Sequence, residues 1–358
     1  MNEKRHIVAA DDVPPDITVI IVSYETRDMT LACLRSVIAQ AATARCELIV
    51  VDNASTDGSA AAIRAEFPDI LLIVLDENIG FARANNLAAL RARGRRLLLL
   101  NPDTVILDHA IDRLHAFAQA RPDCGIWGGR TVFADGRLNA ASCWHRATLW
   151  SIFCLAFGLT RMRASRLFNP EGYGGWRRDT VRAVDIVTGC FFLIDRALWQ
   201  RCGGFDPVFF MYAEEADLCI RARRFGARPA ITPAATIIHH GGASEPDRAE
   251  QRIKVLAGRI SLMRRHESAA FVRAGRLLYL AMPLLRIALF GAAARLTGRP
   301  EPRRAAQRWR HVWQARARWI DGWNDAAIAD ARRPTSETAA RERNILPASV
   351  HGVRAAPP

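Results

Sequence analysis

Of the 50 basic residues in this 358-residue chain, only Lys4 and Lys254 are lysines. Positive charge is therefore carried by arginine, whose rigid fork of donors suits carboxylates and phosphates. A net charge of +14 fits an anionic partner, whether nucleic acid, anionic lipid or a phosphorylated substrate, and an arginine-rich codon bias would produce it equally well. The eight cysteines form no C-x-x-C pair and no Cys/His cluster at zinc spacing, which argues for reduced thiols in a reducing compartment. No G-x-G-x-x-G follows an apolar run and no G-K-[ST] occurs, which excludes the dinucleotide fingerprint and the P-loop. Residues 1–16 lack the apolar stretch of a secretory signal. They are expected to be disordered, and the folded part after them to be cytoplasmic.

Half of the residues are apolar, enough for a sizeable core. Short apolar runs alternate with helical patterns: "ITVIIV" (17–22), "ELIVV" (47–51), "ILLIVL" (70–75), "LLLLN" (97–101) and "GIWGG" (125–129), with helices expected near 28–41, up to about 66, at 80–93 and at 108–120. This alternation implies an α/β fold, a mostly parallel sheet with helices on both faces. The unbroken leucines read as a strand buried on both sides. In such sheets ligands sit beyond the carboxyl ends of the strands. There the sequence places "SYE" (23–25), "DNASTDGS" (52–59), "DENIGFARANN" (76–86) and "NPDT" (101–104). With both glycine-rich phosphate motifs missing, the other ready route to phosphate is a divalent cation bridging it to a carboxylate, and Asp103 is placed for that. A hairpin is expected at "FADGRLN" (133–139), while residues 140–180 show no period. "VDIVTGCFFLI" (184–194) reads as a strand, 205–226 as loop then helix, and 236–244 as strand then loop.

"TVIIVSYE", "ELIVVDNASTDGS", "NIGFARANN", "LLLLNPDT", "TGCFFLIDRALWQRCGGFDPVFFMYAEEADLCIR" and "IIHHGGAS" occur in this order. Together, over about residues 17–245, they resemble glycosyltransferase family 2, in its rhamnosyltransferase-like branch. The resemblance implies a GT-A fold, a nucleotide-sugar donor and Mg or Mn. It sets Ser23, Tyr24, Glu25, Asp52, Asn53 and Asn101 around the donor. Asp52 would accept the imide N–H of uracil or thymine, although an Asx turn with Ser55 would also explain it. Arg83 would face the pyrophosphate. "NPD" takes the place of D-x-D, with Asn101 for the first carboxylate and Asp103 for the second, and His239 aligns with a histidine near the metal and phosphates. Gly189 and Glu214 would border the acceptor. Glu215 or Asp217 would be the base, and Asp217 has a possible partner in Arg221 at i, i+4.

Beyond 250 the sequence is helical and basic. Residues 277–294 are apolar apart from Arg286, and they read either as an interfacial segment or as a buried helical hairpin broken at Pro283. In 304–323, arginines interleave with Trp309, Trp313, Trp319 and Trp323, as in an interfacial helix or a surface that stacks single-stranded nucleic acid. The upstream apolar segment favours the membrane, so a nucleic-acid partner is not expected. The expected organisation is a disordered 1–16, a catalytic domain at 17–250, a helical membrane-associating region at 251–332 and a disordered 333–358. The expected activity is inverting, metal-dependent transfer of a sugar, with dTDP-rhamnose as donor, to a hydroxyl of a surface or cell-wall glycan, a polyprenyl-linked one included. UDP-hexose or UDP-galactofuranose is the alternative donor. The expected location is the inner face of the cell membrane, against anionic lipid.

Overall fold

A computed structural model of the chain describes residues 14–242 and 247–332. The expectations for residues 1–13 and 333–358 lie outside them. The first half alternates β1 (Ile17–Ser23), α1 (Arg27–Gln40), β2 (Cys46–Asp52), α2 (Ser59–Glu66), β3 (Leu71–Val74), α3 (Phe81–Ala89), β4 (Arg96–Leu100), β5 (Thr104–Ile106), α4 (Ala110–Ala120) and β6 (Ile126–Val132). Next come β7 (Leu138–Asn139), β8 (Cys143–Trp144), α5 (Leu149–Ala156), β9 (Arg182–Ala183), β10 (Ile186–Val187), β11 (Phe191–Asp195), α6 (Arg196–Cys202), α7 (Glu214–Arg223) and β12 (Ala230–His239). Helices α8 (Arg248–His266), α9 (Ala269–Thr297), α10 (Pro300–Gln314) and α11 (Asp325–Ala331) follow.

The main sheet runs β3-β2-β1-β4-β11-β6-β12-β5. Strands β1 to β4 are mutually parallel, while β11 enters antiparallel between β4 and β6. The strand expected over 184–194 is thus two, β10 and β11, parted at Thr188–Cys190 where the chain changes sheet. The four leucines of β4 are buried on both faces. Leu97 and Leu99 join Ile20, Val22 and Phe192 in one core, and Leu98 and Leu100 join Val19, Ile21 and Leu114 in the other. Period-two alternation delivers apolar side chains to both faces only when every position is apolar, which is why this strand shows no alternation.

Helices α8 to α11 complete the first core. Ile253, Leu256 and Ile260 of α8 pack in it beside Trp309, Trp319 and Trp323. The interfacial reading of the tryptophans is corrected by this packing: three of the four are buried, and Trp313 is half-buried. Trp309 lies beneath the guanidinium groups of Arg252 and Arg286, at 4.8 and 5.3 Å. The indole N–H groups of Trp319 and Trp323 donate to the carbonyls of Val312 and Met211, each at 3.0 Å. The hairpin at Pro283 is also corrected, since α9 runs unbroken through it. Arg286, the charge inside the apolar run, donates to the Leu155 carbonyl at 2.8 Å. By length and composition α9 could cross a membrane.

Because Trp319 is fully buried in the shared core, Trp319→Ala is expected to lower the unfolding free energy by about 3–5 kcal/mol in chemical denaturation. Trp313→Ala should cost far less, and equal losses would contradict the packing.

Candidate active site

A cavity of about 790 Å³ opens where β1, β2 and β4 end, and its lining passes from Tyr24, Asn53 and Asn101 to Glu214 and Glu215 of α7 and to α8. That volume suits a ligand of drug size or larger. One end is built by two loops clamped together. The Glu25 carboxylate accepts from the Thr56 amide at 2.6 Å, and the Glu25 amide donates to the Ser55 hydroxyl at 3.0 Å. Glu25 and Ala54 both adopt left-handed backbone, φ 55° and 68°, strain that the clamp must hold. The Asn53 side chain donates to the Asn78 side-chain oxygen at 2.9 Å and accepts from the Ile79 amide at 3.0 Å, tying in the loop before α3.

Tyr24, Glu25, Asn53 and Asn101 line the cavity, and Ser23, Asp52 and Arg83 do not. Ser23 and Asp52 are paired across β1 and β2 and point beneath the lining, one residue out of phase with it. The Ser23 hydroxyl is bonded to those of Thr26 and Thr30 at 3.1 and 2.9 Å. Asp52 accepts the Ser55 amide at 3.0 Å, the Asx turn, while its second oxygen is buried without a partner. Arg83 sits on the solvent side of α3, opposite the buried Ala82, Ala84 and Ala88, and donates to the Pro207 carbonyl at 3.4 Å.

Asp103 and His239 meet because β12 turns its last residues onto β5, setting His239 opposite Thr104. The His239 Nε2 lies 3.4 Å from Asp103 Oδ1. Neither Asp103 oxygen, nor His239 Nδ1, has a hydrogen-bond partner, although all are buried. Burial pushes the Asp103 carboxyl up, but the adjacent His239 outweighs it and the group stays below the usual carboxylate range. Burial pulls His239 down, yet Cys190 and Asp103 beside it raise it to about 11. Two unpartnered carboxylate oxygens next to an imidazole fit a divalent cation, which would displace the imidazole proton, with the remaining ligands left to phosphate and water. No cluster of three or more protein ligands exists among the described residues, so the protein alone would hold such an ion weakly.

Across the cavity, α7 begins after Tyr212 and Ala213, both left-handed at φ 65° and 75°. Glu214 is buried, Glu215 is half-buried, and each has one oxygen without a partner. Burial, then the neighbouring Glu215, pushes the Glu214 carboxyl well up, and burial raises Glu215 also. A Cβ on Gly189 would come within 3.9 Å of the Glu215 Cβ, so the missing side chain keeps the space before Glu215 open. Asp217 points away from the cavity. Its oxygens accept from Arg221 Nε at 2.7 Å and meet His266 Nε2 at 2.7 Å. Burial raises its pKa, but the bonds from His266 and Arg221 outweigh that and hold it low.

The family model described as Glycosyl transferase family 2 matches residues 18–201, about half of the chain. The chain belongs to glycosyl transferase family 2. O-antigen biosynthesis protein RfbC of Myxococcus xanthus is 27% identical over 233 residues, 64% of this chain and 18% of that protein. N-acetylglucosaminyl-diphospho-decaprenol L-rhamnosyltransferase of Mycobacterium tuberculosis is 26% identical over 212 residues, 54% of this chain and 66% of the relative. The chain therefore spans between 18% and 66% of the lengths of these relatives. Among solved structures, mannosyltransferase PcManGT from Pyrobaculum calidifontis, in complex with GDP-Man and Mn2+, superposes with a TM-score of 0.53 at 18% identity, covering 88% of this chain and 89% of that one. The fold is the GT-A fold.

Within this family 2 site, one wall was not anticipated. Trp144, His145 and Glu171 come from the segment without period, and Arg248, Gln251, Lys254 and Arg259 come from α8. Arg259 donates to Glu171 and to the Tyr279 hydroxyl, each at 3.2 Å, tying that segment to α8 and α9. A signal for α8 exists: Arg248, Gln251, Val255, Arg259 and Leu262 recur at steps of 3, 4, 4 and 3, one helix face. Nothing comparable marks Trp144 or Glu171.

Removing the Asp217 charge should act on stability. Asp217→Asn is expected to destabilise the protein by about 3–5 kcal/mol near neutral pH, because Arg221 and His266 lose a buried partner. The carboxyl has a depressed folded pKa, so its contribution is present above the unfolded value of about 3.9 and is lost as pH falls through the lower folded one. Urea titrations of both proteins should converge over that acid window, and a difference that persists there would contradict the assignment.

Proposed function

We propose that the chain is an inverting, metal-dependent glycosyltransferase that moves a sugar from a nucleoside diphosphate donor to a hydroxyl of a cell-surface or cell-wall glycan. The observation that carries this reading is the pairing, in one cavity, of a buried unpartnered carboxylate at Asp103 with a second, pKa-raised carboxylate at Glu215. The nucleoside lies against Tyr24, Glu25 and Asn53, the residues of these loops that line the cavity. Mg or Mn held at Asp103 and His239 would neutralise the diphosphate as it leaves. Glu215 takes the proton from the acceptor hydroxyl, whose oxygen attacks the anomeric carbon while the bond to the diphosphate breaks on the opposite face. Gly189 and Glu214 border the acceptor.

dTDP-rhamnose is the preferred donor, in keeping with the name of the mycobacterial relative, and UDP-hexose or UDP-galactofuranose is the alternative. The acceptor is read as polyprenyl-linked, as that relative's name says of its own, and the enzyme as working at the inner face of the cell membrane against anionic lipid. A thermal-shift screen of nucleotide sugars with Mn tests the donor, since a ligand at 100 times its Kd adds about 2.7 kcal/mol.

Asp103→Ala is expected to abolish metal-dependent transfer with the fold intact by circular dichroism, and EDTA should do the same to the unaltered protein. Full turnover in EDTA would end the metal role.

Glu215→Gln should lower kcat by about 10²–10⁴-fold while donor affinity stays within a few fold, because the amide keeps the shape but cannot accept the proton. Near-normal turnover in that variant would remove Glu215 as the base.

A further inference from the structure

Ten of the eighteen large apolar side chains exposed among the described residues fall in two short segments, 149–167 and 277–296. Scattered exposed leucines need no explanation, but a concentration of this kind does. The two segments are neighbours. Arg286 of α9 donates to the Leu155 carbonyl of α5 at 2.8 Å, and a Cβ on Gly275 would stand 3.6 Å from Ile152, so α5 lies along α9. On α9 the outward stripe is Leu277, Leu284, Leu285 and Leu289, from 37% to 67% exposed, at i, i+7, i+8 and i+12. On α5, Trp150 stacks on Phe153 at 5.4 Å, which stacks on Phe157 at 4.4 Å. The Trp150 indole N–H is already donated to the Leu167 carbonyl at 2.7 Å, so this ring can leave water without stranding a donor.

The charge on these elements has one sign. Segment 149–167 and α9 contain no Asp or Glu and seven arginines. Arg276 is paired with Asp321 and Arg286 is turned inward, but Arg161, Arg163, Arg166, Arg273 and Arg295 have no ion-pair partner among the described residues. A second copy of this chain docked face to face would set these arginines against their own kind. An anionic leaflet would meet them with phosphate and the leucine stripe with acyl chain.

We propose that α5, the loop 157–168 and the outward stripe of α9 form one face that lies on an anionic lipid bilayer, with α9 in the plane of the interface. The inner side of α9 is committed to protein, with Tyr279 and Met282 buried in the core, so the helix presents one face to lipid and does not cross. The proposal deepens the membrane part of the function proposed above and moves the contact away from the tryptophans of 304–323, which are mostly interior.

The test is flotation of the full chain with phosphatidylcholine vesicles, with and without phosphatidylglycerol. The expected result is binding only with phosphatidylglycerol. It should fall at least about tenfold in Trp150→Glu/Phe157→Glu and in Leu284→Glu/Leu289→Glu, and remain in Leu90→Glu, whose exposed leucine lies outside the patch. Arg161→Glu/Arg163→Glu should reduce it as well. Circular dichroism and the nucleotide-sugar thermal shift, both retained, separate loss of the face from loss of the fold or donor site. An unaltered protein that turns over donor yet binds neither vesicle overturns the membrane face and leaves the transferase reading standing. Vesicle binding without any donor shift does the reverse. A dimer in light scattering that Trp150→Glu/Phe157→Glu dissolves, with no vesicle binding, would make the patch a protein interface and overturn the proposal.

Discussion

A carboxylate taken out of water without a hydrogen bond is among the least favourable things a fold can hold. Asp103 is in that position, buried at the end of the central strand with neither oxygen hydrogen-bonded. Much of the architecture follows from tolerating it. The turn that carries it is stiffened by the Thr104 hydroxyl on the Asn101 carbonyl at 2.7 Å, and the His240 amide holds the Asp103 carbonyl at 3.0 Å. Strand β12 shifts register against β6 between Thr232 and Thr236, and past that shift its last residues pair with β5. That shift delivers His239 as the nearby positive charge. The half-compensated pair is stable enough to fold and still suited to a cation that arrives with its own phosphate ligands.

The opposite wall depends on close backbone approach. A Cβ on Gly258 of α8 would fall 2.4 Å from the Tyr212 carbonyl, and one on Gly80 would fall 2.5 Å from that of Phe210. The two glycines thus let α8 and the start of α3 close on either side of the segment that leads into α7. Trp323 adds a third contact there, packing on Phe210 with ring centroids 5.6 Å apart. The strained Tyr212–Ala213 turn is held from three directions, and Glu214 and Glu215 are aimed by that grip. The C-terminal helices are therefore part of the site's scaffold.

How much of this is legible in the sequence varies with the kind of signal. The strands and the ends that carry Tyr24, Asn53, Asn101 and Asp103 are readable because β periodicity and turn residues are local. Ser23 and Asp52 lie one residue out of phase with the lining, a phase that only the sheet sets. Arg83 lies on the outer side of α3, a placement the sequence does not disclose because a helix face cannot be assigned before its partner is known. The tryptophans of 304–323 are ambiguous for a deeper reason: an Arg/Trp interleave is amphipathic whether its apolar side meets lipid or protein, and only the neighbours Arg252, Val312 and Met211 decide. Segment 140–180 is illegible because it is ordered by long-range bonds such as Arg259 to Glu171, which leave no period behind.

The two candidate bases illustrate how geometry divides equivalent chemistry. Glu215 and Asp217 are two residues apart on one helix, about 200° around its axis, so they cannot serve one cavity together. The side facing α8 supplies His266 and Arg265, and the helix supplies Arg221, so an acid at 217 becomes a fully engaged anion whose lone pairs are taken. The side facing Gly189 leaves space, and an acid at 215 keeps an unpartnered oxygen and a raised pKa. A proton acceptor needs both a vacant lone pair and an affinity for the proton near the working pH. Of the two acids only that at 215 lines the cavity and keeps an oxygen without a partner, and its glutamate side chain is rooted on a strained turn beside the space the glycine leaves.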